Sequence, residues 1–426
     1  MEKFIQKFNQ AKENSKEHTK EEISFFIKNL DNFSQGDIAS WLKAVKKNGL
    51  TFNETSILTY QMASSGKILN WEGLEPTVDK HSTGGVGDKV TLLFVPLLAA
   101  YGINVPKLSG RSLGITGGTI DKLESIPGFK SSLTIDQIKE QIKKIGLAIC
   151  STTTGIAPAD KKLYAIRDVT DTIDSIPLIA SSIMSKKIAG GASNIVLDVK
   201  CGSGAFMKKL EDAEKLSEYM SAIGKNLHKK VKAVITNMDQ PLGYAAGNSL
   251  EVKEVLDVMS GKDVPDLIEL VIFLGIEAVC LVYGKKENNL EEKLLKLLCR
   301  GAALKKFEEM VQAQGGNLTG TFKKADHIAI IKSNNKGYIE QLDAKIIGEI
   351  IHLLGAGRNN IEDKINYSVG IVLCKKTGDP VKQDETLAEV HMRDNSNVNL
   401  VKEMFNKGIK IGQKKPTPLK LIRQEK

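Results

Sequence analysis

The chain has 426 residues, 41% hydrophobic and 26% charged, a balance that lets every segment bury a core and that points to roughly two to four domains. Its net charge of +9 would suit a nucleic-acid binder, but the lysines are spread along the whole chain and aromatics are only 5%. No basic run is interleaved with stacking residues, so a phosphate-bearing small molecule is the better fit than nucleic acid.

The amino terminus carries no secretory apolar core, and no later stretch has the uninterrupted apolar length of a membrane span. Cys150, Cys201, Cys280, Cys299 and Cys374 are widely spaced and form no C-x-x-C pair, which argues against a disulfide framework or a zinc site. A cytoplasmic protein with no membrane association is expected.

Residues 21–66 read as helical. Ile23, Phe26, Ile27 and Leu30 follow one helix face, and Thr51 with Glu54 forms a capping box ahead of Ile57, Leu58 and Met62. From about residue 78, glycine-rich turns alternate with short β runs (VPKL, LAIC, NIVLDV, AVIT) and longer helical patterns, one of them opened by Thr134 and Gln137. After residue 324 come short segments separated by turn residues: HIAIIKS, GYIEQLD, YSVGIVLCKKTGDPV and TLAEVHM. The expected fold class is α/β in three parts. These are an all-α domain over 1–70, joined by helices from about 160–190; an α/β phosphate-binding domain with a largely parallel sheet over 71–305; and an α+β domain over 325–426.

The densest chemistry lies at residues 79–89, DKHSTGGVGDK, followed at once by an apolar helical run. Glycines let backbone N–H groups converge on an anion, the helix start adds partial positive charge, and lysine and hydroxyls complete a cradle. A tight turn alone would explain the glycines; Lys80, His81 and Ser82 together on the loop point further. The spacing is not that of a Walker A loop. A second loop, residues 107–119 (KLSGRSLGITGGT), follows the predicted strand VPKL, where α/β proteins place ligands. Only six of the 60 basic residues are arginine, so Arg111 and Arg167 stand out for the planar fork that lysine lacks.

SGRSLGITGGTIDKLE, residues 109–124, closely resembles the signature of the thymidine and pyrimidine-nucleoside phosphorylases. The resemblance spans nearly the whole chain and includes IPGF, APADK, residues 164–187 and 198–207, and GAGR…YSVG. It implies a pentosyltransferase that uses inorganic phosphate as co-substrate and no organic cofactor. Uridine, thymidine and 2′-deoxyuridine would be split reversibly to free base and (deoxy)ribose 1-phosphate. The matching phosphate ligands are Lys80, Ser82, Thr91, Ser109 and Thr119. Lys107 is grouped with them, and where relatives accept both sugars a lysine here can also donate to the ribose 2′-hydroxyl. Leu113, Tyr164, Arg167, Ser182 and Lys186 would face the pyrimidine.

Tyr164 and Arg167 are three residues apart and Ser182 and Lys186 four, so each pair would share a helix face. Arg167 and Lys186 would stabilise the departing base anion, and His81 would donate a proton or a hydrogen bond to a base oxygen. The resemblance also implies a potassium ion on Gly87, Lys89, Leu242, Ala245 and Glu254, a site between the helical and α/β domains, and a homodimer. Two departures stand out: Lys89 where threonine is common, and Ile115 where many members carry histidine. Rival readings are a strict thymidine phosphorylase, an anthranilate-type phosphoribosyltransferase requiring magnesium, and a non-catalytic nucleotide binder.

Overall fold

Polar caps set the helices of the amino-terminal unit. Thr19 and Glu22 form a capping box at α2 (Lys20–Lys28), Ser34 caps α3 (Gln35–Asn48), and Thr51 and Glu54 box the start of α4 (Phe52–Ser64). Ahead of them α1 (Glu2–Glu13), which lies before the helical region read from the sequence, buries Ile5 and Phe8 at helical spacing. The four helices close over stacked Phe8, Phe26 and Trp41. The computed structural model describes residues 1–111, 116–152, 155–320, 322–358 and 363–425.

The middle of the chain runs β1 (Val78–Ser82), α5 (Val90–Tyr101), β2 (Val105–Ser109), α6 (Thr119–Leu123), α7 (Ile135–Ile145) and β3 (Leu147–Ser151). Then come α8 (Pro158–Val169), α9 (Ile176–Ala189), β4 (Asn194–Cys201), α10 (Leu210–Asn226) and β5 (Lys230–Asn237). Strand β4 lies between β1 and β5 and is parallel to both; β2 and β3 pair in parallel beside them, tied through a parallel Thr77–Asn104 bridge. Strand β4 is buried over its whole length and α5 is apolar on every side, as elements covered on both faces must be. Helices α8 and α9, though inserted between strands, place Leu163, Ile166 and Leu178 in the core of the amino-terminal helices.

A short strand β6 (Ala245–Ala246) leads into α11 (Asn248–Met259), α12 (Pro265–Tyr283), α13 (Leu290–Cys299) and α14 (Ala302–Ala313). The last part holds β7 (His327–Lys332), β8 (Gly337–Leu342), α15 (Ala344–Leu353), β9 (Gly370–Leu373), β10 (Pro380–Val381), β11 (Thr386–Met392), α16 (Val398–Gly408), β12 (Ile409–Gly412) and β13 (Ile422–Glu425). Its two sheets are antiparallel, in the orders β6-β9-β11-β7 and β10-β8-β12. Two strands cross over between the central and last parts: β6 pairs with β9, and β13 returns to the open edge of β5. The central sheet therefore carries one antiparallel edge strand. Among the described residues no helix is long and apolar enough to cross a membrane.

Candidate active site

Strands β1, β2 and β3 end side by side at Ser82, Ser109 and Ser151, so the loops that follow them open at one carboxyl edge of the sheet. Between these loops and α9 lies a cavity of about 310 Å³. The first loop supplies His81, Ser82, Thr83 and Asp88, and the start of α5 adds Thr91. Ser82 donates to the Asp88 carboxylate and accepts the Gly84 N–H at 3.1 Å, which folds the loop onto itself. From the second loop come Lys107, Ser109, Arg111 and Thr119; from α9 come Ile183, Lys186 and Lys187. Gly117 has no room for a side chain, because a Cβ there would stand 2.0 Å from the Asn248 amide oxygen.

Four lysines reach the wall, and each is held by an acceptor. Lys187 Nζ donates to Asp79 Oδ2 at 2.7 Å, while Lys107 Nζ lies 3.4 Å from Asp79 Oδ1 and donates to the Leu108 carbonyl at 2.9 Å. Lys122 donates to the Asp88 carbonyl at 2.6 Å and pairs with Glu251 at 2.9 Å. Lys186 donates to Asp160 and, at 3.0 Å, to Ser182 Oγ. Burial lowers the Lys107 pKa to about 7, against the pull of Asp79. Burial also holds His81 well below its ordinary value, and the ammoniums of Lys187, Lys107, Lys80 and Lys186 push the same way. Burial would raise Asp88, but Lys80, Lys200, Lys122 and the Ser82 hydroxyl outweigh it and hold its carboxyl well below the usual range.

Of the residues singled out in the sequence, His81, Ser82, Thr91, Lys107, Ser109, Thr119 and Lys186 meet at this cavity. Lys80 lies beneath it, fully buried, with Nζ 3.0 Å from Asp198 Oδ2; Lys200 approaches the same oxygen at 2.9 Å. Tyr164, Arg167 and Ser182 lie on α8 and α9 as their spacing predicts but stand outside the wall. The Arg167 guanidinium instead donates to the carbonyls of Ile173 (2.7 Å), Leu178 (3.1 Å) and Thr172 (3.4 Å). Tyr164 is partly exposed, its ring centre 5.8 Å from the Arg167 guanidinium carbon. Leu113 and Ile115 lie outside the described residues. Asp79, Asp88, Lys122, Asp160, Ile183 and Lys187 were not among the sequence candidates, although Asp79 and Asp88 stand inside the first loop motif, Lys122 inside the signature, and Asp160, Ile183 and Lys187 inside other stretches of the resemblance.

The residues expected to hold potassium surround a side-chain cation. Carbonyls of Leu242 and Ala245 and the Glu254 carboxylate do converge, but on the ammonium of Lys89, which donates to them at 2.8, 2.8 and 2.6 Å. These residues do not fit a potassium ion, because the cation position is already filled by a side chain. A second charge even 4 Å away would be repelled by about 4 kcal/mol at the effective dielectric of a protein site. Among the described residues no group of three or more His, Cys, Asp or Glu side chains could hold a metal ion.

Hydroxyl and glycine loops at a parallel-sheet edge, facing ammonium groups on a helix, define a small-molecule site built to hold an anion. In agreement, residues 74–304 match the glycosyl transferase family, a/b domain, and residues 338–412 match the pyrimidine nucleoside phosphorylase C-terminal domain. The chain is 45% identical to a pyrimidine-nucleoside phosphorylase of Staphylococcus haemolyticus, over 96% of each chain. It is 44% identical to those of Geobacillus stearothermophilus (92% of this chain, 93% of the relative) and Bacillus subtilis (96% of each). Its fold resembles that of an anthranilate phosphoribosyltransferase from Thermus thermophilus, with a TM-score of 0.58 and 16% identity over 72% of this chain and 98% of that one. The chain belongs to the pyrimidine-nucleoside phosphorylase family.

Proposed function

We propose that the chain splits uridine, thymidine and 2′-deoxyuridine reversibly with inorganic phosphate, giving free base and pentose 1-phosphate. The observation that carries this reading is the convergence of Ser82, Ser109 and Thr119 with Lys107 and Lys186 around one cavity. A phosphate oxygen attacks the sugar C1′, the bond from C1′ to the base nitrogen breaks, and its electron pair leaves on the base. The sugar passes through a cation-like state beside the phosphate dianion, and the lysines offset the charge on the phosphate and the departing base.

His81 has two conceivable tasks, and its low pKa favours one of them. Neutral at physiological pH, it serves a base oxygen as a hydrogen-bond donor rather than as a proton source. The base anion takes its proton after departure, and no covalent enzyme intermediate is required. Lys80 acts from below: it shares the Asp198 carboxylate with Lys200, two cations on one anion, so the base of the cradle stays positive. Tyr164, Arg167 and Ser182 belong to the base-binding face as α8 and α9 move in; cytidine is expected to be poor because its exocyclic amine meets cationic donors.

A homodimer in a reducing cytoplasm completes the proposal. The free cysteines Cys150, Cys201, Cys280, Cys299 and Cys374 support the compartment, and the exposed Phe25, Phe52 and Tyr60 on α2 and α4 support pairing through the helical unit. Of the three-part division over 1–70, 71–305 and 325–426, the helical unit is supported by a core of its own, whereas 71–305 and 325–426 share one core. Uracil release from uridine with and without phosphate tests the reaction: release should require phosphate, and equal release in its absence would sink the reading. Ser109→Ala should weaken phosphate use by about 2 kcal/mol in kcat/KM.

A further inference from the structure

Lys89 precedes α5, directly after the glycines of the first phosphate loop, yet its side chain points away from the cavity. Its Nζ donates to the Leu242 carbonyl, the Ala245 carbonyl and Glu254 Oε2, so all three ammonium hydrogens have acceptors, and the side chain is fully buried. The cage was shaped before the lysine reached it. Glu254 also accepts the N–H groups of Tyr244 (2.8 Å) and Ala245 (3.1 Å), which bends residues 242–245 so that their carbonyls converge. Gly87 and Gly243, both at positive φ, let the two backbones approach: a Cβ at Gly87 would stand 2.5 Å from the Leu242 oxygen, and one at Gly243 2.9 Å from Lys89 Nζ. Lys376, from the last part of the chain, grips the same segment through the carbonyls of Pro241 (2.6 Å) and Gly243 (3.0 Å).

Two carbonyls and one carboxylate, dry and convergent, form a site for a single positive charge. We propose that the Lys89 ammonium is this enzyme's structural monovalent cation, carried on the chain itself, so that neither activity nor folding requires potassium. The charge pins the phosphate loop and the start of α5 to β6 and α11, and through β6 to the antiparallel sheet of the last part. A free ion would make that link depend on its concentration; a tethered one makes it permanent.

The activity arm of the test rests on the phosphorolysis reading, whereas the melting arm does not. Wild-type protein is exchanged into tetramethylammonium salt, whose cation is too bulky for the cage, and compared with protein in potassium or sodium at equal ionic strength. Expected are initial rates within about two-fold and melting temperatures within roughly 1 °C of each other. Lys89→Thr removes the ammonium but leaves the carbonyls and Glu254. It should lose activity by about ten-fold or more in tetramethylammonium and recover in potassium, with a melting temperature raised on the order of 3 °C by the ion. Should Lys89→Thr fold only in potassium, that outcome supports the proposal equally. A wild-type enzyme activated about ten-fold by potassium, or melting higher in it by a similar margin to the variant, overturns it. So does a Lys89→Thr protein that is equally stable and active in every salt, or one that no cation rescues. Wild type that releases no base in any salt would sink the phosphorolysis reading alone and leave the melting comparison to decide this one.

Discussion

Lys107 shows how one side chain can tune sugar choice. Its pKa of about 7, against an ordinary 10.5, makes it an ammonium in mildly acid solution and an amine in mildly alkaline solution. If it meets the ribose 2′-hydroxyl, the charged form makes the stronger hydrogen bond. The ratio of kcat/KM for uridine to that for 2′-deoxyuridine should then be highest below pH 7 and fall as pH rises through it. Titration of phosphate and of all other shared groups cancels in this ratio. A ratio flat from about pH 6 to 8.5 in the native protein would place Lys107 on the phosphate alone. The linkage also has a definite sign: between about 7 and 10.5 the unfolded chain holds a proton that the folded one does not, so this group adds stability as pH rises across that window. Among single residues, the sequence made legible those whose motif lies within one loop, such as Ser82, Ser109 and Thr119. Asp79 and Asp160 were hidden because their lysine partners, Lys187 and Lys186, stand 108 and 26 residues away and only the fold brings them together. Lys89 was flagged as a departure, but its direction depends on Glu254, 165 positions further on.

At the scale of elements, α8 and α9 carry the residues proposed to face the base. Capping boxes and strand runs made α4, α7, β2, β3, β4 and β5 readable, because those signals are local. The pairing of β6 with β9 and of β13 with β5 was not readable, since a strand of two residues or a final strand of ordinary composition carries no sign of its partner. The same limit applies to Arg167. Its position on α8 was legible, but its hydrogen bonds go to three carbonyls in and after the turn that joins α8 to α9. Whatever it does for the base, it also clasps the turn between α8 and α9, and burial holds its pKa below the ordinary arginine value. Arg167→Ala strands those carbonyls and should lower stability by about 2–4 kcal/mol in urea unfolding, along with turnover. Arg167→Lys should restore only part of both, because one ammonium cannot span the fork. An alanine variant of native stability that lacked turnover would return the guanidinium to direct substrate contact.

On the scale of the whole molecule, the cavity lies between the loops of the central sheet and α9, the helix that joins that sheet to the amino-terminal unit. Its loops belong to the central sheet, whereas Lys186 and Ile183 come from α9, which packs on the amino-terminal helices through Leu178 and on the central sheet through Ala180 and Met184. Tyr164, Arg167 and Ser182 lie on these helices but outside the wall, so a base that is to meet them needs the helical unit to approach the sheet. Gly155 and Gly191, on the connections around α8 and α9, sit at positive φ, and a Cβ at Gly191 would stand 2.1 Å from the Leu69 carbonyl oxygen, so the connecting loops run in close contact with little side-chain bulk. Closure would also shed water from a site where phosphate must outcompete it as nucleophile. On the proposed reading, phosphate alone would engage the sheet loops, and a nucleoside alone would lack the anion that its sugar is to face. The expected outcome in small-angle scattering is therefore a fall in radius of gyration when phosphate and an uncleavable nucleoside analogue are present together, with a smaller change for either alone. A scattering curve unchanged at saturation of both would mean that the helical unit does not swing in, and that Tyr164 and Ser182 take no part in holding the base.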